Sequence, residues 1–227
     1  MKFKNIKLFI FDMDGLVFET ERLYLKFLPE SISELGFTAN EDIIRGSIGM
    51  NMKSTRALYL NHYGKDFPFE TLSKLVHKKL MTYNEKNGLD LCPHVLELLS
   101  YLKERKLPCV IASSSNRNMI QTYLKRNNIE DYFVDIYSGD EVTNGKPDPE
   151  IFLLAAKKQN ISPDNCMVFE DSYNGIKAAH SAKMKAIMVP NILQPNDEMK
   201  ALADLILDNI YMIKDYIEWI FFNLWTS

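Results

Sequence analysis

Four apolar residues in a row, Leu8-Phe9-Ile10-Phe11, run without a break into Asp12-Met13-Asp14-Gly15. A continuous apolar run this short fits a strand buried on both faces, the situation of strands in a parallel sheet. Ligands of such sheets bind beyond the carboxyl ends of the strands. Here that end carries two carboxylates. In extended chain, residues two apart point the same way, so Asp12 and Asp14 can face one pocket. Two close carboxylates repel unless they share a proton or hold a hard cation such as Mg2+. The same residues also suit a plain turn with an aspartate cap, and this stretch alone does not choose between the two.

After that strand the periodicity is helical over residues 21–87, with Leu23, Phe27, Ile32 and Leu35 on one face and Gly36 as a stop. Pro29 falls inside the pattern and is expected to kink or split the helix. Asn40 is placed to cap a short helix reaching Arg45, and Asn51 to cap one reaching Tyr63. Pro68 suits the first turn of a helix that ends at Gly88. The pattern then alternates. A helix over 93–105 precedes the strand Cys109–Ala112, and a helix over 116–126 precedes a short strand near 135–137. A helix over 149–158 leads to the strand Cys166–Phe169, then a helix over 172–181 to the strand Ala186–Val189. A last strand near 204–207 leads to a C-terminal helix. Alternating strands and helices imply βαβ units and a parallel sheet. The fold class is therefore α/β: a core of residues 1–17 and 88–227, and a helical insertion over 18–87 after the first strand. An insertion there is expected to act as a lid over the strand end.

Length and charge exclude several functions. With 227 residues and a net charge of −3, nothing attracts the chain to nucleic acid in general. Three separated cysteines without a Cys-x-x-Cys form neither a disulfide framework nor a metal knuckle, and fit a reducing cytoplasm. No secretory leader pattern and no apolar run of about 18 residues is present, so no membrane partner is expected. The aromatic tail Trp219, Phe221, Phe222 and Trp225 reads as a helix face packed on the sheet or, where exposed, as a dimer contact. A monomer or weak homodimer is expected.

Each strand end carries polar chemistry: Asp12 and Asp14 on the first, Ser113 with Ser114 and Ser115 on the second, and Glu170-Asp171 on the fourth. Lys146 stands in the loop before helix 149–158. Parallel strands bring these ends side by side. Carboxylates, a hydroxyl and a lysine together suit a hard cation and a phosphate. Structural alternatives exist for each. Ser113, Ser114, Ser115 or Asn116 can cap helix 116–126, Asp171 can cap helix 172–181, and Lys146 can be a solvated loop lysine.

Asp12-Met-Asp14-Gly, Ile-Ala-Ser113, Lys146-Pro-Asp-Pro and Glu170-Asp171-Ser-Tyr-Asn-Gly175 occur in this order. Together they resemble the haloacid dehalogenase superfamily, in the phosphatase and β-phosphoglucomutase-like branch whose members carry an α-helical cap. The resemblance implies that Asp12 is a nucleophile forming an aspartyl-phosphate, and that Asp14 is the acid and then the base. It implies Mg2+ held by Asp12, Asp171, Glu170 and the backbone carbonyl of Asp14, with Ser113, Ser114 and Lys146 on the phosphate. Asp14 argues against dehalogenation, since expelling halide needs no proton donor.

The implied reaction is hydrolysis of a small phosphomonoester such as a sugar phosphate. The alternatives are phosphoryl transfer within one sugar, as in β-phosphoglucomutases, and a non-catalytic binding or regulatory protein on the same fold. Those mutases carry a histidine where Tyr24 stands here, and a basic residue for which Lys53 or Arg56 would have to substitute. Glu19, Glu21, Asn51 and Lys53 are the insertion residues expected to contact substrate. Met50, Met52 and Met81 are expected to pack inside the insertion.

Overall fold

The computed structural model describes residues 5–48, 50 and 52–224, with side chains as far as Glu218. In chain order the elements are β1 (Leu8–Phe11), α1 (Thr20–Glu34), α2 (Glu41–Gly46), α3 (Met52–Tyr63) and α4 (Phe69–Asn87). There follow α5 (Val95–Glu104), β2 (Cys109–Ser113), α6 (Arg117–Arg126), β3 (Asp135–Ser138), α7 (Glu150–Lys158) and β4 (Cys166–Glu170). The chain ends with α8 (Tyr173–Ser181), β5 (Lys185–Met188), α9 (Asp197–Leu202), β6 (Leu205–Ile206) and α10 (Ile213–Leu224).

The strands form one sheet in the order β3-β2-β1-β4-β5-β6, every neighbouring pair parallel. Ile10 of β1 lies opposite Val110 of β2 on one side and Val168 of β4 on the other. The chain steps outward from β1 to β2 and β3, then returns to lay β4, β5 and β6 on the far side. The reversal falls beside β1, where ligands collect in open parallel sheets. Leu8 and Ile10 share a buried cluster with Phe152 of α7 and Ile176 of α8. Phe9 and Phe11 pack on Phe169, with ring centroids 6.4 and 4.8 Å apart. Each such side chain contributes about 1.5–3 kcal/mol by leaving water. Burial from both sides is why the run carries no polar residue until its end.

Two compact units are present: residues up to Phe18 together with those from Leu91 onward, and Glu19–Asp90. The second unit holds α1–α4 around a core that includes Phe27, Ile32, Tyr59, Phe69, Leu72 and Val76. No helix among the described residues is long and apolar enough to cross a membrane. Cys92, Cys109 and Cys166 are all buried. Burial pushes the Cys109 and Cys166 thiols up to about 12.

Several elements depart from the sequence-based expectation. Pro29 does not split α1, which is helical from Thr20 to Glu34. Packing against α4 through the face that buries Phe27 and Ile32 outweighs the missing backbone bond. Helix α5 begins at Val95 rather than Pro93, because His94 adopts a left-handed φ of 65°. Helix α9 was not anticipated; Asn196 caps it by accepting from Met199 N at 2.9 Å. Met50 and Met52 are exposed rather than packed, since the one buried residue of α3 is Tyr59. Asn40 caps α2 by accepting from Ile43 N at 3.1 Å. The cap and substrate roles read for Asn51, and the packing read for Trp219, Phe221, Phe222 and Trp225, lie outside the described residues and side chains.

Candidate active site

The sheet ladder runs one residue past β1, since Asp12 N donates to Phe169 O at 3.1 Å and so pins Asp12 beside β4. The chain then turns sharply. Gly15 N donates to Phe18 O at 2.9 Å, Val17 N and Phe18 N both donate to Met13 O, and Gly15 takes φ +80°. A non-glycine residue would be strained there. Asn191 Nδ2 clamps the same turn by donating to Gly15 O at 2.8 Å. Sequence reasoning did not single out Asn191, and no local pattern marks it.

On the other side, β2 ends at the buried Ser113. Asn116 provides the α6 cap, its side chain accepting from Met119 N at 2.9 Å. Ser113, Ser114 and Ser115 are thereby released from that duty. Ser113 Oγ accepts from Ser115 N at 3.1 Å. Ser115 Oγ donates to Asp14 Oδ2 at 2.7 Å. Ser114 itself is exposed. Its carbonyl lies so close to Gly139 that a Cβ at Gly139 would fall 2.3 Å from it.

Lys146 is buried, not solvated. Its Nζ donates to Asp12 Oδ1, to Ala112 O at 3.0 Å and to Glu170 Oε1 at 2.7 Å. Three acceptors match the three donors of an ammonium group. Burial alone would lower its pKa, but the charges of Asp12 and Glu170 outweigh that and raise it, so Lys146 stays charged. Asp12 moves the other way from an ordinary carboxylate. Burial raises it to about 8 against the pull of Lys146, and the Glu170 and Asp14 charges add to the rise.

Glu170 and Asp171 close the site from the end of β4, both buried. Ser172, not Asp171, caps α8 by accepting from Gly175 N at 3.0 Å. Glu170 Oε2 accepts from Ser172 N at 3.1 Å and from Ser172 Oγ at 2.9 Å. Glu170 therefore joins Lys146 to the N-terminus of α8, where the helix dipole favours an anion. Carboxylate oxygens of Asp12, Glu170 and Asp171 lie within 4.8 Å of one another. Three carboxylates and one ammonium carry a formal charge near −2. Hard oxygen donors with that excess suit a divalent cation.

Of the residues singled out from sequence, Asp12, Lys146, Glu170 and Asp171 stand together, with Ser113 at the adjoining strand end. Asp14 is joined to this group through Ser115. Glu19 and Glu21 stand at the start of α1 in the other unit, where Glu19 pairs with Arg22 at 3.2 Å. Lys53 is exposed on α3, and Arg56 is engaged with Glu70 at 2.7 Å. Sequence reasoning missed the Ser115–Asp14 contact and the pairing of Glu170 with Lys146. The one available signal was Gly175, quoted in the motif without a reason for being glycine.

That reason is steric. A Cβ on Gly175 would lie 1.8–2.2 Å from the Glu170 carboxylate. In a helix, alanine is normally favoured over glycine by about 1 kcal/mol. Here Gly175→Ala forces Glu170 off Ser172 and Lys146, and charge-assisted bonds are worth about 1.5–3 kcal/mol each. The bonds outweigh the propensity. Gly175→Ala is expected to lower stability by about 2 kcal/mol or more in urea unfolding, and a stabilised variant would refute this account of Glu170.

Residues 9–189 match the family described as haloacid dehalogenase-like hydrolase. The chain is 34% identical over 196 residues to a phosphorylated carbohydrates phosphatase of Thermotoga maritima, covering 86% of this chain and 89% of that protein. It is 28% identical over 204 residues to hexitol phosphatase B of Escherichia coli K12, covering 88% and 91%. A Thermotoga maritima crystal structure, described provisionally as a β-phosphoglucomutase, superposes with a TM-score of 0.74 at 30% identity. That match covers 94% of this chain and 99% of the other. A match over most of the length places this chain among the haloacid dehalogenase-like hydrolases, as a phosphoric monoester hydrolase.

Proposed function

We propose that this protein hydrolyses small phosphorylated carbohydrates through an aspartyl-phosphate on Asp12, with Mg2+ as the divalent cation. The observation that carries the reading is the buried set of Asp12, Glu170 and Asp171 at adjoining strand ends, joined by Lys146 from the loop before α7. The names of two relatives, a phosphorylated carbohydrates phosphatase and a hexitol phosphatase, support the substrate class.

Asp12 attacks phosphorus, and the bond from phosphorus to the ester oxygen breaks as the new one forms. Asp14 gives its proton to the departing oxygen, then takes one from the water that releases phosphate. Ser113 holds a phosphate oxygen, and Lys146, its three donors taken by Asp12, Ala112 O and Glu170, fixes the Asp12 carboxylate through Oδ1 and offers the phosphate its positive charge. Asp12, Asp171 and Glu170, with the Asp14 carbonyl, would hold Mg2+, which neutralises charge between the attacking carboxylate and the phosphate. Selectivity among esters is assigned to the helical unit, through Glu19, Glu21, Asn51 and Lys53.

The test is incubation with a panel of sugar phosphates and Mg2+, reading free phosphate and sugar isomers together. Free phosphate that disappears with chelator is expected. Isomer formed from a sugar 1-phosphate without free phosphate would favour the mutase reading, which the provisional name of the superposed structure also suggests. Full turnover in chelator would remove the metal from the scheme.

The raised Asp12 pKa adds a pH dependence. Below about 8 the folded Asp12 holds a proton that a cation must displace. Cation affinity, measured by calorimetry, is therefore expected to fall by about tenfold per pH unit from 8 toward 6. An affinity constant over that range would contradict a protonated Asp12.

A further inference from the structure

We propose that Ser115 is the positioning residue for Asp14, its hydroxyl fixing Oδ2 of that carboxyl so that the transferable proton belongs to Oδ1. The inference rests on Asp14 being the proton donor. Its own observation is the 2.7 Å bond from Ser115 Oγ to Asp14 Oδ2, between residues 101 apart in sequence.

An aspartate at the end of a tight turn has two rotatable side-chain bonds, so its carboxyl alone has several rotamers. Proton transfer needs the donor within about 2.6–3.2 Å of the leaving oxygen, in one of them. A donor that is itself fixed selects that rotamer. Ser115 is fixed on both sides. Its N–H donates to Ser113 Oγ at 3.1 Å, and its carbonyl accepts from Gly139 N at 3.0 Å. Ser113 in turn lies in register with Ser138 at the end of β3. The turn carrying Asp14 is held independently by Asn191 on Gly15 O. Both ends of the Ser115–Asp14 bond are thus held by contacts of their own, one through Ser113 and Gly139 and the other through Asn191.

A hydroxyl donating to Oδ2 makes that oxygen the acceptor, so the acidic hydrogen sits on Oδ1. In the first half-reaction the Oδ1–H bond breaks as the ester oxygen leaves, and that oxygen takes the proton. In the second, the attacking water returns a proton to Oδ1, and the carboxyl is restored. Ser115 exchanges no proton and stays a donor throughout.

The experiment compares Ser115→Ala, Ser115→Thr and Asp14→Asn on an alkyl phosphate and on p-nitrophenyl phosphate, read as kcat/KM. That ratio reports only steps up to departure of the alcohol, so the shared hydrolysis of the intermediate does not enter. Alkoxide departure needs a proton and p-nitrophenolate departure hardly does. Ser115→Ala is expected to lose about 10–100-fold on the alkyl ester, part of the 10²–10⁴-fold that a general acid supplies, and less than about threefold on the nitrophenyl ester. Ser115→Thr, which keeps the hydroxyl, is expected to restore most of the alkyl-ester rate. Equal losses on both esters in Ser115→Ala, or a raised KM at unchanged kcat, would make Ser115 a phosphate ligand and overturn the inference. Discrimination by Asp14→Asn without discrimination by Ser115→Ala overturns it alone. Equal losses in Asp14→Asn defeat the acid reading itself.

Discussion

Asp12→Asn is expected to lower turnover by about 10³-fold or more on every ester while the folded protein persists. The amide has the shape of the carboxyl but no nucleophilic oxygen. Its carbonyl oxygen can still accept from Lys146 Nζ, so the buried ammonium keeps a partner there as well as Ala112 O and Glu170. Burial already raises the Asp12 pKa to about 8, which means that the fold disfavours charge there. A neutral amide therefore removes little stability, and the thermal midpoint is expected to stay within a few degrees of the parent. Steady-state rates and a melting curve on one preparation check both halves. Residual turnover near the parental level would remove Asp12 as nucleophile. A collapsed midpoint would show that its charge is needed to hold the site together.

Lys146→Met is expected to fail in the opposite manner, losing stability as well as rate. Methionine replaces a buried ammonium by an apolar chain, leaving Glu170 without its cation and Asp12 without its donor. Ala112 O loses its donor too. Removing one partner of a buried ion pair costs about 3–5 kcal/mol, which in a chain this long corresponds to a midpoint lower by on the order of 10 °C. Divalent cation is expected to recover part of that loss, because it can take over neutralisation of the same carboxylates. Activity is not expected to return with it, since the phosphate lacks its lysine. A variant with an unchanged midpoint would mean that Lys146 is not the charge that holds these carboxylates together.

Much of the fold was legible from the order of residues. Leu8–Phe11 carries no polar residue because both faces of a central parallel strand are buried, and that run is visible in a single line of sequence. Asn40 was legible as a cap because capping is local, between a side chain and an amide three residues on. Asn116 was not separable from the three serines before it, because each has a suitable oxygen and only the angle at which β2 hands over to α6 selects among them. Pro29 misled for a related reason. The cost of proline in a helix is local, and what offsets it is the packing of α1 on α4, which no window of sequence contains.

Residue order alone establishes the alternation of strands and helices and the kinds of group at each strand end, because periodicity and residue type are properties of neighbouring positions. Which of those groups touch was left to packing. Lys146 reaches Asp12 across 134 positions, and Ser115 reaches Asp14 across 101. The second follows from the register of β1 against β2, whereas the first depends on how the loop between β3 and α7 folds back onto the strand ends. Gly175 makes the same point: its lack of a side chain acquires meaning only when a buried Glu170 is folded against it.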